Sequence, residues 1–302
     1  MKNLLIKRLE SSFYAFSKTV ERFENSYKKF IDMFDTGEIY ISKKYDVYDL
    51  LESDDDEKLL SLVEEGEITH YIKDEFEDKF FEDLQNDLEI LNQINLKIKD
   101  IDIDPKLLSF VNQLKNNKNL IDSKKIIFTE SKETAEYLKI ELQKALKQPI
   151  TVFTGSSHNS LKEVIRANYD PNYDPKKQKK DFDILITTDV LAEGINLHRA
   201  SVLINYDLPW NPTRVMQRVG RINRVGTTFD TIYVYNFFPT SKSNEHLSLR
   251  DNIINKIQAF HNTFGEDSKF LSDEEEIESY SFSSGEDLYN ALSKDLGIEE
   301  EE

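Results

Sequence analysis

Ile184-Leu185-Ile186-Thr187-Thr188 is an apolar run with no polar alternation, closed by two threonines. A strand of this kind has to be buried on both faces, which is the condition inside a parallel sheet. Reading outward, Lys125-Ile126-Ile127-Phe128-Thr129, Ile150-Thr151-Val152-Phe153-Thr154, Val202-Leu203-Ile204-Asn205-Tyr206 and Thr231-Ile232-Tyr233-Val234-Tyr235 are four further strand patterns. Helical periodicity precedes the first of them, over residues 107–114, and lies between others, over 134–146, 161–168 and 213–223. Strands that alternate with helices of this length predict a doubly wound α/β domain, a parallel sheet flanked by helices.

The flanks read differently. Leu5, Leu9, Phe13, Phe16, Val20, Phe23, Tyr27, Phe30 and Phe34 recur at helical spacing among Lys, Arg and Glu, which predicts one or two amphipathic helices. An acidic stretch covers residues 49–67, and helical periodicity returns over 72–98, so residues 1–104 are expected to be an acidic, helical accessory region. The α/β domain is expected over 105–240. Residues 241–302 are expected to hold one helix (247–260) and an acidic extension that ends in Glu299-Glu300-Glu301-Glu302, too charged to pack and partly disordered. The proline-marked segment from Asp170 to Lys180, with four lysines in its last five positions, is expected to be a solvated loop.

The chain has 302 residues, 38% hydrophobic and 32% charged, enough to bury a sizeable core. Its net charge of −18 argues against a polyanionic partner on average, yet residues 121–240 hold 17 Lys and Arg against 14 Asp and Glu. The acid therefore lies outside the central segment. With no cysteine, disulfides, thiolate zinc sites and thiol nucleophiles are excluded. The five histidines (His70, His158, His198, His246, His261) show no ligand spacing, so no metal site is expected, and His158 and His198 are expected to be exposed in loops. No apolar run approaches the roughly 20 residues that span a bilayer, and the first residues lose apolar character too quickly for a secretory signal. A cytoplasmic chain without a membrane partner is the expectation.

Chemistry concentrates in Gln217-Arg218-Val219-Gly220-Arg221-Ile222-Asn223-Arg224. On a continued helix Arg221 and Arg224 share a face, Gln217 lies one turn before Arg221, and Gly220 permits close approach of a neighbour. Paired guanidinium groups suit a polyanion, because each offers a fixed fork of donors to phosphate oxygens. A second stretch, Thr187-Thr188-Asp189-Val190-Leu191-Ala192-Glu193-Gly194-Ile195-Asn196-Leu197, follows a buried strand and sets hydroxyl, acidic and glycine residues where open α/β sheets bind ligands.

With Phe128-Thr129-Glu130-Ser131 and Phe153-Thr154-Gly155, these pieces resemble in order and spacing the second, RecA-like motor lobe of superfamily-two helicases, including its Q-R-x-G-R-x-x-R motif. Gly194-Ile195-Asn196-Leu197 and Leu208-Pro209-Trp210-Asn211-Pro212 look like the chromatin-remodelling-type branch and the bacterial translocases that act on RNA polymerase. The resemblance implies that Arg221 and Arg224 are arginine fingers reaching the γ-phosphate of ATP on a first lobe, supported by Gln217, Arg218 and Gly220. It implies that Asp189, Glu193 and Asn196 lie at the nucleotide cleft, and that Thr129, Gly155, Thr188 and Gly194 approach a nucleic-acid backbone. Asn196 stands where many RNA helicases carry aspartate, which favours double-stranded DNA.

None of the nine glycines opens a G-x-x-x-x-G-K-[ST] loop, and Asp74-Glu75-Phe76-Glu77 lies in a polar helical region without an apolar strand before it, so it reads as a solvated face. ATP with Mg is therefore expected to be held mainly by a first lobe outside this chain, which alone would not hydrolyse ATP. The partners implied are nucleic acid, that first lobe, and RNA polymerase or a restriction-system subunit. A non-catalytic nucleic-acid- or protein-binding module of the same fold, and an RNA helicase lobe, are the alternatives.

Overall fold

The computed structural model describes residues 2–46, 61–101, 103–191, 195–209, 211–223, 227 and 229–240. Two compact units emerge, one of residues 17–101 and one of residues 1–16 with those from 102 onward. The expected helix at 247–260 and the acidic extension lie outside the described residues.

In the smaller unit the amphipathic helix α2 (Phe13–Thr36) ends at Gly37, whose φ of +83° is a left-handed conformation that a side chain would strain. The chain reverses there into β1 (Glu38–Ile41), which pairs antiparallel with β2 (Thr69–Ile72), Ile39 opposite Tyr71. Helix α3 (Asp78–Lys99) follows. Met33, Phe34 and Ile39 form its centre, packed by Phe30, Tyr71, Phe76, Phe81 and Leu84. The purely helical reading of the first hundred residues thus missed a two-stranded ribbon, since four-residue strands carry too few positions to show a period of two. Ile72, read as the start of a helix, is the last residue of β2. Asp74 and Glu75 lie on an exposed 3-10 turn after it, in keeping with a solvated face.

The larger unit begins with α1 (Lys2–Ser11) and continues at α4 (Pro105–Asn116) and a short α5 (Lys118–Ile121). Asp104 starts α4 by accepting from the Leu107 N–H, with Pro105 at the first helical position where no N–H is needed. Then come β3 (Lys125–Phe128), α6 (Lys132–Ala145), β4 (Ile150–Phe153), α7 (Ser160–Tyr169), β5 (Ile184–Thr187), β6 (Val202–Asn205), α8 (Pro212–Val219) and β7 (Tyr233–Asn236). All five strands are parallel, in the order β4-β5-β3-β6-β7. The parallel sheet flanked by helices is as the sequence predicts.

Alternate residues of each strand feed opposite layers. Ile127, Ile184, Ile186, Val202 and Ile204 pack with Leu107, Phe110, Leu138 and Leu142 of α4 and α6. Ile126, Phe128, Leu185 and Leu203 pack with Ile165 and Tyr169 of α7, Val219 of α8, and Leu191, Ile195 and Leu197. Each such side chain contributes about 1.5–3 kcal/mol on burial, and the two filled layers explain why β5 tolerates no polar alternation. Register aligns Phe128 with Thr187 and Asn205, so β3, β5 and β6 end level with one another. The helix after β3 covers one face and the helix after β6 the other. The sheet therefore splits its connections beside the carboxyl end of β3, where crevices form in open α/β sheets.

The Asp170–Lys180 loop leads into the amino end of β5, the opposite end of the sheet. Its four lysines are exposed.

Candidate functional site

At the carboxyl ends of the three central strands the chain places polar residues. Thr129 follows β3, Thr188 and Asp189 follow β5, and Asp207 closely follows β6. Asp207 organises them. Its Oδ2 accepts from the Thr129 hydroxyl at 2.6 Å and from the Ser11 hydroxyl at 2.6 Å, and its Oδ1 accepts from the Glu130 N–H at 2.6 Å. Because an ionised carboxylate only accepts, the Ser11 proton is committed to Asp207. The neighbouring contacts then order themselves: Thr134 donates to Ser11 at 2.7 Å and Ser12 donates to Thr134 at 2.8 Å.

Helix α1 is bolted to this end of the sheet by the same residues. Arg8 adds a bond to the Ser131 hydroxyl at 2.8 Å and an ion pair with Glu133 at 3.1 Å. Ser131 also caps α6, accepting from the Thr134 N–H. Lys106 Nζ lies 4.2 Å from the Tyr206 ring centroid and donates to main-chain carbonyls of α1. Burial pushes its pKa down, against the pull of Asp207, Glu10 and Asp104.

Arg218 is the second organiser. Its side chain is 0% exposed, with Nε donating to Asp189 Oδ1 at 2.6 Å. One amino group donates to Asn205 Oδ1 at 2.8 Å and to the Asp207 carbonyl at 3.3 Å, and the guanidinium lies 5.0 Å from the Phe128 ring centroid. The other amino nitrogen has no acceptor among the described residues. Asp189 Oδ2 accepts from Arg214 at 3.2 Å. These bonds tie α8 to the ends of β3, β5 and β6. Arg214 also reaches within 3.9 Å of Glu130, whose carboxyl is raised in pKa by burial and then by the Asp207 charge.

Helix α8 begins with Asn211 accepting from the Thr213 N–H, Pro212 following. It was expected to run through Asn223, and it stops at Val219. Gly220 closes the last turn with its N–H on Met216 O, and the Arg221 carbonyl is taken by the Leu197 N–H at 3.0 Å. Arg221 therefore stands in a turn beside Asn196 and Leu197, not on the helix face shared with Gln217. A Cβ at Gly220 would lie 3.2 Å from the Met216 carbonyl oxygen of its own helix, so the position favours glycine.

The residues singled out from sequence divide accordingly. Gln217 is exposed, Arg221 and Asn196 are half-buried, and Arg218 points inward. Thr129 was expected to face a nucleic-acid backbone. It is 0% exposed instead, its hydroxyl spent on Asp207, so its side chain presents nothing to a phosphate. Thr188 is half-buried, and Gly155 is exposed just past the end of the edge strand β4, where an added Cβ would make only an ordinary contact with the Val190 side chain. His158 is exposed as expected, whereas His198 is 3% exposed because the 195–200 segment packs under the sheet. Glu193, Gly194 and Arg224 lie outside the described residues. Sequence reasoning missed Asp207, Asn205, Arg214 and Ser11. Asp207 had a usable signal, being the acid just beyond a buried strand in the position that drew attention to Asp189. Ser11 had none, since nothing local ties it to a sheet more than a hundred residues away.

A cavity of about 390 Å3 opens over these groups, lined among others by Lys7, Arg8, Ser11, Glu130, Thr188, Asp189, Asp207 and Arg214. Its surface is more apolar than polar, with Leu4, Val190, Leu208 and Phe237 in the wall. It sets Lys7, Arg8, Arg214 and Thr188 beside the acids Glu130, Asp189 and Asp207, a mixed lining whose cations and hydroxyls could meet an anion's oxygens without reading its shape closely. Among the described residues no group of three or more His, Asp or Glu side chains could hold a metal ion, and no helix is long and apolar enough to cross a membrane.

Part of the chain is similar to known proteins. Residues 106–226 match the family model of the helicase conserved C-terminal domain. The chain is 33% identical over 170 residues to the uncharacterized ATP-dependent helicase YqhH of Bacillus subtilis, covering 56% of this chain and 28% of that protein. It is 32% identical over 139 residues to the ATP-dependent RNA helicase DBP5 of Eremothecium gossypii, covering 44% of this chain and 27% of that one. Among solved structures, the C-terminal part of the Fun30 ATPase domain is similar at 20% identity and a TM-score of 0.40, over 65% of this chain and 55% of that one. The chain thus spans about a quarter of the length of the curated relatives named here.

Proposed function

We propose, with residues 106–226 a helicase conserved C-terminal domain, that this chain is the second motor lobe of an ATP-dependent DNA helicase or translocase, working with a first lobe that holds ATP and Mg. Arg221 and Arg224 act as arginine fingers toward the γ-phosphate. Such a group stabilises charge in the transition state and is worth about 10³-fold or more in rate. Gln217 is exposed and Arg218 is buried, which supports a division of labour: Gln217 meets the nucleotide side directly, while Arg218 supports the contact by fixing the helix that delivers Arg221. Glu193 and Asn196 belong to the nucleotide cleft. Asp189 acts through Arg218.

The nucleic-acid grip belongs to the carboxyl end of the sheet, through Thr188, Gly155, Gly194 and the main chain around Thr129. Opening and closing of the cleft would move this grip relative to the other lobe, a hinge-type cycle. The observation that carries the reading is the Arg218–Asp189 pair, because it joins the arginine-bearing turn to the strand ends in one rigid unit. The partners are nucleic acid, double-stranded DNA in the first instance, and a first lobe. RNA polymerase or a restriction-system subunit are candidates beyond these, and the compartment is the cytoplasm. RNA is the second reading, favoured by the relative described as an RNA helicase.

The test supplies a first lobe in trans and measures ATP hydrolysis with duplex DNA and with single-stranded RNA. Hydrolysis stimulated by nucleic acid and lost on Arg221→Ala supports the motor reading, and the stimulating polymer decides DNA or RNA. Stimulated hydrolysis indifferent to Arg221→Ala removes the finger assignment.

A further inference from the structure

We infer that helix α1, which lies outside the matched helicase domain, carries part of the nucleic-acid contact: Lys7 takes a backbone phosphodiester at the carboxyl end of the sheet, together with Arg214 of α8. The inference rests on the reading above that this end grips nucleic acid.

Helix α1 is seated by specific polar bonds. Ser11 and Arg8 hold it to Asp207 and Ser131, which fixes its register and brings Lys7, one residue before Arg8, to the cavity wall. Lys7 is half-buried there, and its pKa is lowered first by burial and also by the charges of Arg214 and Arg8, against the pull of Glu130. Cations held this close repel one another, and a phosphodiester between them relieves that repulsion.

The acids of the same wall have partners: Asp207 accepts from Ser11, Thr129 and the Glu130 N–H, Asp189 is paired with Arg214 and Arg218, and the Glu10 carboxylate accepts from the Thr240 hydroxyl at 2.8 Å. Glu130 lies 3.9 Å from Arg214, and its carboxyl is pushed toward the neutral form by burial and the Asp207 charge. Lys7, Arg8, Arg214 and Thr188 all line the recess. In a chain of net charge −18 a polyanion has to be met locally, and this recess meets it with cations from two separate elements. The chemistry recognised is the phosphodiester common to DNA and RNA, with no base contact implied.

The full chain is titrated with a labelled duplex DNA and, separately, a labelled single-stranded RNA over a series of salt concentrations. The variants are Lys7→Gln, Lys7→Arg, Arg214→Gln and, for loss of one exposed charge elsewhere in the same unit, Lys139→Gln. Lys7→Gln is expected to weaken binding about 5- to 10-fold. It should also flatten the log Kd against log salt slope by about 0.9 on duplex DNA or about 0.7 on a single strand, the share of one phosphate contact. Arg214→Gln flattens it likewise, Lys7→Arg restores it, and Lys139→Gln leaves it unchanged. Because Lys7→Arg keeps the charge on the same element, a fold defect would show as failure of both Lys7 variants in a melting curve; protection of the parent's Lys7 from acetylation by the bound polymer then decides the matter, and no protection overturns the role of α1. If the parent binds and the slope is the same for Lys7→Gln and Lys139→Gln, the role of α1 is overturned while the nucleic-acid reading stands. If the parent binds neither polymer at low salt, both fall.

Discussion

Replacing Arg218 with alanine tests whether this arginine is a structural bolt rather than a free contact group. Three losses follow from its surroundings. The Asn205 Oδ1, in a residue with no exposure, loses its donor at 2.8 Å, about 1–3 kcal/mol for an unsatisfied buried acceptor. Asp189 loses its 2.6 Å partner but is 21% exposed and retains Arg214, so that share is nearer 1 kcal/mol. Removing a long side chain against Phe128 leaves a cavity worth another kcal/mol or two, roughly. Together these give about 3–6 kcal/mol, overlapping the range of about 3–5 kcal/mol for breaking a buried ion pair from one side. Followed by circular dichroism in urea, at a slope of about 1–3 kcal/mol per molar, the transition of the sheet-bearing unit should fall by about 1 M or more. Arg218→Met, which refills most of the volume without the charge, should recover part of the loss. A midpoint within about 0.3 M of the parent for Arg218→Ala would refute the bolt and return Arg218 to the nucleotide-facing residues.

Asp207→Asn removes the charge that gathers Ser11, Thr129 and the Glu130 N–H. It should cost about 1.5–3 kcal/mol, and hydrogen exchange at the Glu130 amide should quicken at least tenfold; unchanged exchange there would contradict the hub. Glu130 holds its proton to higher pH in the folded chain than in the unfolded one, where the carboxyl ionises near 4.5. Its contribution to stability is therefore lost as pH rises above about 4.5, and Glu130→Gln should be more stable than the parent at neutral pH and equal to it at pH 3. Lys125 has no exposure and burial lowers its pKa from 10.5 to about 8, so the unfolded chain binds the extra proton between pH 8 and 10 and stability should rise there. Lys125→Met should remove that rise and gain about 1–3 kcal/mol at pH 7, read from urea midpoints across the range. In the two-lobe assay Arg221→Ala should lower nucleic-acid-stimulated hydrolysis about 10³-fold with the urea midpoint of the chain unmoved, and a parallel loss of stability would make Arg221 a fold residue.

The five strands and the helices between them could be read from local pattern, because a strand buried on both faces has no room for polar alternation and β5 shows this in four residues. The Arg218–Gly220–Arg221 string and the polar residues after β3 and β5 could also be picked out, since strand ends in an open sheet carry the binding groups. The direction of each side chain could not. Whether Arg218 faces outward with Gln217 or inward to Asp189 depends on which strands end level beside α8, and register across β3, β5 and β6 is a long-range property. The helix limit at Val219 was decided in the same way, by the Leu197 N–H arriving at the Arg221 carbonyl. Sequence alone gave no reason for α1 to close the carboxyl end of the sheet. Ser11 is an ordinary serine on an amphipathic helix, and only the tertiary structure brings its hydroxyl to a carboxylate 196 residues further along the chain.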